Sequence, residues 1–278
     1  MVKISAFADE VSNDFKEQLE FLQSSGIGWI EIRFLNGENC IDLSDEKLAE
    51  VKSMLKSFDI KVSALASPIG KYALDADFAP HFTKFRRAVE IAKYLDTKLI
   101  RMFSFFSPEN GSIDDYKDEV VDRIKQMAAL AEKEGVILTQ ENDTWTYGHS
   151  ASKCVELIQA VHSPAFYLTY DPANFVFGEK EVDSINTCWS IMKPWVNHVH
   201  IKDWILGSLD IGSLPGNGDA QIEPLIKELA AEKYEGFLTL EPHMSSGGKF
   251  GGTTSIEQYD AALAKVRGFC RKYGMNYE

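Results

Sequence analysis

No apolar run in this 278-residue chain approaches the roughly 20 residues that a bilayer span requires, so a membrane partner is not expected. The opening residues, Met1-Val2-Lys3-Ile4-Ser5, meet Asp9 and Glu10 at once and form no secretory apolar stretch. A cytoplasmic location is the expectation. Cysteine is sparse: Cys40, Cys154, Cys188 and Cys270 stand far apart with no CxxC pair, which argues against a disulfide frame or a zinc–thiolate site. Basic residues are in deficit, 29 Lys and Arg against 42 Asp and Glu, for a formal net charge of −13. A nucleic-acid partner needs a basic stripe to neutralise phosphates, so none is expected here. A Gly-x-Gly-x-x-Gly turn is missing after the first strand candidate, which removes the signature of a dinucleotide-binding sheet. No linker rich in Ser, Gly and Pro divides the chain, so residues 1–278 read as a single domain.

What is present is a regular alternation. Short runs rich in β-branched and aromatic residues occur at Lys3–Phe7, Trp29–Arg33, Lys61–Ala66, Lys98–Phe103, Val136–Glu141, Tyr167–Asp171, Val196–Lys202 and Phe237–Glu241. The segments between them carry apolar residues at helical spacing. Examples are Phe15, Leu19 and Leu22; Leu48, Val51, Leu55 and Phe58 after the cap Ser44; Ala88, Ile91, Ala92 and Leu95; and Val120, Ile124, Met127 and Leu130 before Gly135. Further helices are expected over Ser152–Val161, Val182–Met192, Pro224–Glu232 and Ile256–Lys272. Strands separated by helices pair in parallel with right-handed crossovers, and eight such units close most economically into an α/β (β/α)8 TIM barrel.

Three of the strand candidates repeat one phrase: Leu138-Thr139-Gln140-Glu141, Leu168-Thr169-Tyr170-Asp171 and Leu238-Thr239-Leu240-Glu241. Between the last two lies His198-Val199-His200. In a strand, residues i and i+2 share a face. Neighbouring strands would therefore converge Glu141, Asp171, His200 and Glu241 at one edge, above Thr139, Thr169, Thr239 and His198. Three carboxylates gathered without a cation repel one another and force at least one to take up a proton. A divalent ion removes that cost, and oxygen-rich ligation with one imidazole suits Mn²⁺, Mg²⁺ or Co²⁺, with Zn²⁺ also compatible. The threonines either orient the carboxylates or fill the barrel. His198, one layer deeper, reads as a hydrogen-bonded core residue or a substrate contact.

These phrases, with Gln140-Glu141-Asn142, Tyr170-Asp171-Pro172-Ala173-Asn174, His198-Val199-His200-Ile201-Lys202-Asp203, Pro215-Gly216-Asn217-Gly218-Asp219 and Leu240-Glu241-Pro242, make nearly the whole chain resemble the xylose-isomerase-like TIM barrels. That family includes sugar phosphate isomerases and epimerases, ketose 3-epimerases and inosose dehydratases. The resemblance implies metal ligands at Glu141, Asp171, His200 and Glu241, with Glu141 and Glu241 as the acid–base pair of a sugar isomerase or epimerase. It implies a small-molecule sugar or sugar phosphate as substrate, and homo-oligomers. Lys202 is expected to bind a substrate hydroxyl or phosphate, the alternative being a salt bridge to a loop carboxylate. Arg33 should face the pocket, bound to substrate or paired with a site carboxylate. Trp204, Phe7, Trp145 and the cluster from Phe103 to Phe106 are candidate apolar walls against sugar C–H faces, or core packing. Ketose epimerases often carry histidine three residues after the metal-binding aspartate; Asn174 stands there instead, a candidate substrate contact that leaves the sugar open. No contiguous Arg/Lys cluster marks a phosphate site, and the glycine-rich stretch from Ser245 to Gly252 reads equally as phosphate loop, lid or oligomer contact. Two other activities share this framework, an inosose-dehydratase-like lyase and a non-catalytic sugar-binding barrel. A zinc-dependent abasic-DNA endonuclease is disfavoured, because Ser67, Ser104 and Asn174 occupy neighbourhoods where it needs histidines.

Overall fold

The computed structural model describes residues 1–108, 112–209, 211–246 and 251–278. Parallel strands β1 (Lys3–Ala6), β2 (Trp29–Ile32), β3 (Lys61–Ala66), β4 (Leu99–Met102), β5 (Ile137–Glu141), β6 (Phe166–Tyr170), β7 (Val196–Ile201) and β8 (Phe237–Leu240) form a closed barrel in chain order. β8 returns to β1 with Lys3 opposite Phe237 and Ala6 opposite Leu240. Helices α1 (Phe15–Ser24), α2 (Asp45–Phe58), α3 (Phe78–Tyr94), α4 (Lys117–Glu134), α5 (Ala151–Val161), α6 (Ile222–Ala231) and α7 (Ile256–Lys272) follow individual strands. The expected (β/α)8 architecture is what the chain adopts.

The helix ends have local causes. The Ser44 side chain accepts from Lys47 N and caps α2. Gly135, at φ 72°, closes α4 in the left-handed conformation that spares glycine a Cβ clash. Ser255 and Gln258 make a reciprocal capping box for α7. The sixth crossover departs from expectation. In place of one regular helix over 182–192, π-type turns at Ile185–Trp189 run into Ser190–Met192, with Ser190 N–H reaching back to Ile185 O. The wider turn seats Trp189 edge-on to Tyr170, ring centroids 5.2 Å apart.

Outward strand residues such as Ile30, Ile100, Leu138, Leu168, Val199 and Leu238 are buried beneath the helices. Each aliphatic side chain so removed from water contributes about 1.5–3 kcal/mol. Inward residues are of another kind. At the floor, Lys3 lies over the Trp29 and Phe237 rings at 5.9 and 5.4 Å. Above it come Ser5 and Ser63, oxygen to oxygen 2.6 Å, and Thr139 and Thr169 at 2.7 Å. Register shifts leave Ser63 unpaired beside Glu31 and Asn197 unpaired beside Thr169, and the second turns the Asn197 amide inward to accept from Thr139 at 2.9 Å.

Candidate metal centre and pocket

Above these layers the strand tips converge. Glu141, Asp171, His200 and Glu241 are all buried, and each offers one ligand atom within 4.8 Å of the others. Strand parity brings them inward and two amide devices hold them. Asn142 spans β5 and β6, donating to Asp171 O at 2.8 Å and accepting from Asp171 N at 2.9 Å. Asp171 Oδ1 caps the next turn, accepting from Ala173 N and Asn174 N at 2.9 and 3.2 Å, so Oδ2 is left facing the cluster. Beneath the mouth, Asp203 accepts from Gly216, Gly218 and Ala220 N–H groups at 2.7–3.1 Å and anchors the proline–glycine turn. An added Cβ on Gly218 would stand 2.4 Å from Asp203 Oδ1, so the close approach demands glycine.

His200 shows why a cation fits. Its Nε2 lies 3.3 Å from Glu31 Oε1 and takes the donor role there, while Nδ1 has no hydrogen-bond partner among the described residues. That buried nitrogen stands 3.6 Å from Glu141 Oε1 and 3.5 Å from Glu241 Oε2, too far for a hydrogen bond and aimed between them. The groups balance one another's charge. Burial would lower the His200 pKa, but Glu31 and Glu141 outweigh it and raise it to about 10. Burial also lifts Asp171 to about 6, with Glu141 and Glu241 adding to the rise and Lys202 opposing it. A divalent ion would take the place of the proton on His200 Nδ1, and the donor set of three carboxylates and one imidazole matches a hard or borderline metal.

The other expected residues divide. Lys202 is buried, 2.7 Å from Asp171 Oδ2 and 3.3 Å from Glu241 Oε2, and lines the pocket. Arg33 donates to Glu241 Oε1 at 2.7 Å and Asp9 Oδ2 at 2.8 Å. Asn174 donates to Glu141 Oε1 at 3.1 Å. Trp204 lines the wall. His198 does not reach the pocket: it is fully buried, 2.6 Å from Glu31 Oε2 and 3.3 Å from Thr239 Oγ1. Thr139 likewise bonds to Thr169 and Asn197, and Thr239 to His198, so the threonines fill the barrel and do not touch the four converging groups. Of the glycine-rich stretch, residues 247–250 lie outside the described residues; Gly251 lines the pocket.

Several site residues escaped the sequence reading. Glu31 binds both histidines from below, and although burial would raise its pKa, His198 and His200 hold it well under the usual range. Arg101 lies 3.3 Å from Glu141 Oε2, and Lys71 is 3.1 Å from Asp143 Oδ2. His243 Nε2 sits between Glu10 and Glu241 at 3.3 and 3.2 Å. The parity that turns Arg33 inward also turns Glu31 inward, so Glu31 was findable; Arg101 follows from Phe103 in the same way. Lys71 is on a loop and carried no local signal.

The family model for the xylose isomerase-like TIM barrel matches residues 19–276, and the chain belongs to that family. It is 22% identical over 193 residues to a 3-dehydroshikimate dehydratase of Bacillus anthracis, a match covering 68% of this chain and 66% of that relative, just under two thirds of its length. Among solved structures, a xylose isomerase-like TIM barrel protein from Mycobacterium smegmatis in complex with magnesium superposes with a TM-score of 0.75 at 14% identity, covering 98% of this chain and 97% of the other. A 3-keto-D-glucoside 4-epimerase from E. coli gives 0.73 at 17% identity, over 96% of this chain and 100% of its own. At these identities the structural likeness establishes the fold.

Proposed function

We propose that this member of the xylose isomerase-like TIM barrel family is a divalent-metal-dependent isomerase or epimerase acting on a sugar or sugar phosphate. The carrying observation is the buried convergence of Glu141, Asp171, His200 and Glu241, with the His200 Nδ1 atom left unpaired at its centre. Those four residues would hold the ion, with Mn²⁺ the first choice and Mg²⁺, Co²⁺ or Zn²⁺ able to substitute. When bound, the ion supplies Lewis-acid stabilisation of the negative charge that develops on substrate oxygens as a carbon-bound proton leaves.

The proton itself is the work of Glu141 and Glu241. Burial would raise the pKa of Glu141, but His200 and Arg101 outweigh it and bring it down to about 2. Against the same burial, Lys202, His243 and Arg33 hold Glu241 well below the usual carboxylate range. In the free site both are ionised, so either can act as the base. The one that does removes the proton from the substrate carbon. The other, having taken up a proton from solvent, delivers it to the opposite face, which inverts the centre, whereas return of the abstracted proton by the first to the neighbouring carbon isomerises the sugar. Each positioned acid or base is worth roughly 10²–10⁴-fold in rate. Arg101 and Asn174 keep Glu141 oriented, and Arg33 and Lys202 do the same for Glu241.

A second reading shares the first step. After proton removal, expulsion of a β-hydroxyl as water makes the protein a lyase, and the likeness to a dehydratase of Bacillus anthracis favours keeping it. The test is solvent-deuterium incorporation at carbon by the Mn²⁺-loaded protein across ketoses and ketose phosphates. Deuterated product of retained skeleton mass supports isomerase or epimerase, loss of water supports the lyase, and absence of exchange on every sugar supports a non-catalytic sugar-binding barrel.

A further inference from the structure

The pocket changes character along its length. At its inner end Glu141 and Glu241 are 4% and 5% exposed, among the charged groups already described. Its more exposed lining includes Trp145, Phe177 and Leu209, with the buried Trp204 beside them and Asn39 and Lys71 as polar neighbours. Phe177 packs edge-to-face against Trp145 at 5.7 Å and against Trp204 at 5.5 Å, which makes a ledge of three rings. Trp145 remains 40% exposed and Leu209 78%. Isolated exposed apolar side chains are ordinary, but a concentration of them marks a binding surface. Here Ile205, Leu206, Leu209 and Ile211, all on the loop after β7, are exposed together, and Trp145 faces the same cavity as Leu209.

That loop is braced in a form that presents its apolar side chains outward. Trp204 Nε1 donates to Ser208 O at 2.9 Å, Leu206 N to Asp219 Oδ2 at 2.8 Å, Ser208 Oγ to Ile211 O at 2.9 Å, and Gly212 N to His243 O at 2.9 Å. A free sugar seated between Glu141 and Glu241 presents hydroxyls on every edge and would leave this rim wet. We propose that the outer end of the pocket is a subsite for an apolar, ring-sized substituent on the sugar, so that the substrate is a glycoside whose sugar ring itself carries the oxo group that proton removal requires. The proposal rests on the sugar-transforming reading above and adds the substituent to it. The occupant is the substrate's own substituent, because the rim residues line the same cavity as the proton-transferring glutamates.

The test uses the magnesium-loaded full chain with methyl and phenyl β-glycosides of glucose, galactose and mannose. In at least one pair the phenyl glycoside binds about tenfold tighter by calorimetry, about 1.4 kcal/mol, and Trp145→Ala and Leu209→Ser each shrink that ratio below about threefold. Saturation transferred from protein to the aryl protons reports the contact directly and weakens in both variants. Equal affinity for phenyl and methyl members overturns the subsite while leaving the sugar site intact. Binding of no pair, or a phenyl preference that neither variant moves, overturns it as well. A stable dimer that Leu209→Ser converts to monomer assigns the rim to a second copy of the chain and also overturns it. A phenyl preference with no carbon-proton exchange on any ketose keeps the subsite and removes the isomerase reading, so the two fail separately.

Discussion

Strands β5 to β8 and strands β2 to β4 end at the same mouth, yet the first group delivers Glu141, Asp171, His200 and Glu241 while the second delivers Arg33 and Arg101. The first half gathers three carboxylates and an imidazole that could hold an ion. The second is a set of cations that clasp the carboxylates of the first from behind: Arg33 on Glu241, Arg101 on Glu141. Lys202, on β7's end, crosses between Asp171 and Glu241. The contrast teaches that each glutamate buried in this mouth is held at both oxygens, Glu141 by Asn174 and Arg101 and Glu241 by Arg33 and Lys202, so the side chain keeps its direction.

That division can be broken from either side. The largest effect is expected from Glu141→Gln or Glu241→Gln, each lowering carbon-proton exchange by about 10³-fold, in line with the worth of a positioned base. Exchange within tenfold of the parent in either variant, roughly one decade, would remove that residue from the proton-transfer pair.

Arg33→Met tests the opposite half. It strands Glu241 and Asp9 as buried charges without their shared partner, and a loss of about 3 kcal/mol in urea-measured stability is expected. A loss under about 1 kcal/mol, the scale of a surface pair, would mean that the clasp is not a structural necessity.

Glu31→Gln reaches the mouth from beneath. The substitution keeps the volume but removes the charge that orients both His198 and His200, and metal affinity should fall about 10–100-fold in a chelator competition. Unchanged affinity would show that β7 alone aims the imidazole.

The smallest effect concerns the cationic side and pH. His81 Nε2 accepts from Gly70 N at 3.0 Å and so secures the turn that leads to Lys71. Burial lowers the His81 pKa to about 4, with Arg123 and Lys84 adding to the fall. The native state thus favours neutral His81, whose contribution is full above its ordinary value near 6.5 and is lost as pH falls toward 4. Between pH 7 and pH 5 the protein should lose about 2 kcal/mol through this group, and His81→Gln should flatten that part of the stability curve. A slope untouched by the substitution would place the acid sensitivity elsewhere.

Much of this was legible in the residues. The barrel followed from alternating β-prone and helical segments, and the four converging groups followed from repeated phrases in which residue and residue-plus-two share a face. Where a charge stood on a loop, as Lys71 does, nothing nearby marked it. For the threonines two roles stayed open, because parity gives a side chain's direction but not its partner; Thr139 and Thr169 found each other, which is barrel filling. The irregular turns over 185–192 were hidden because a π-turn and an α-helix present nearly the same apolar spacing, and only the Trp189–Tyr170 packing selects between them.

By itself the sequence determined the periodicities, and with them the strands, the helices and which side chains face the barrel axis, because those depend on neighbours within a few residues. Tertiary structure alone decided which charges meet. The pairing of Arg33 with Glu241, 208 positions away, and the seat of Glu31 beneath two histidines come from closing β8 onto β1, and ring closure is a property of the whole chain.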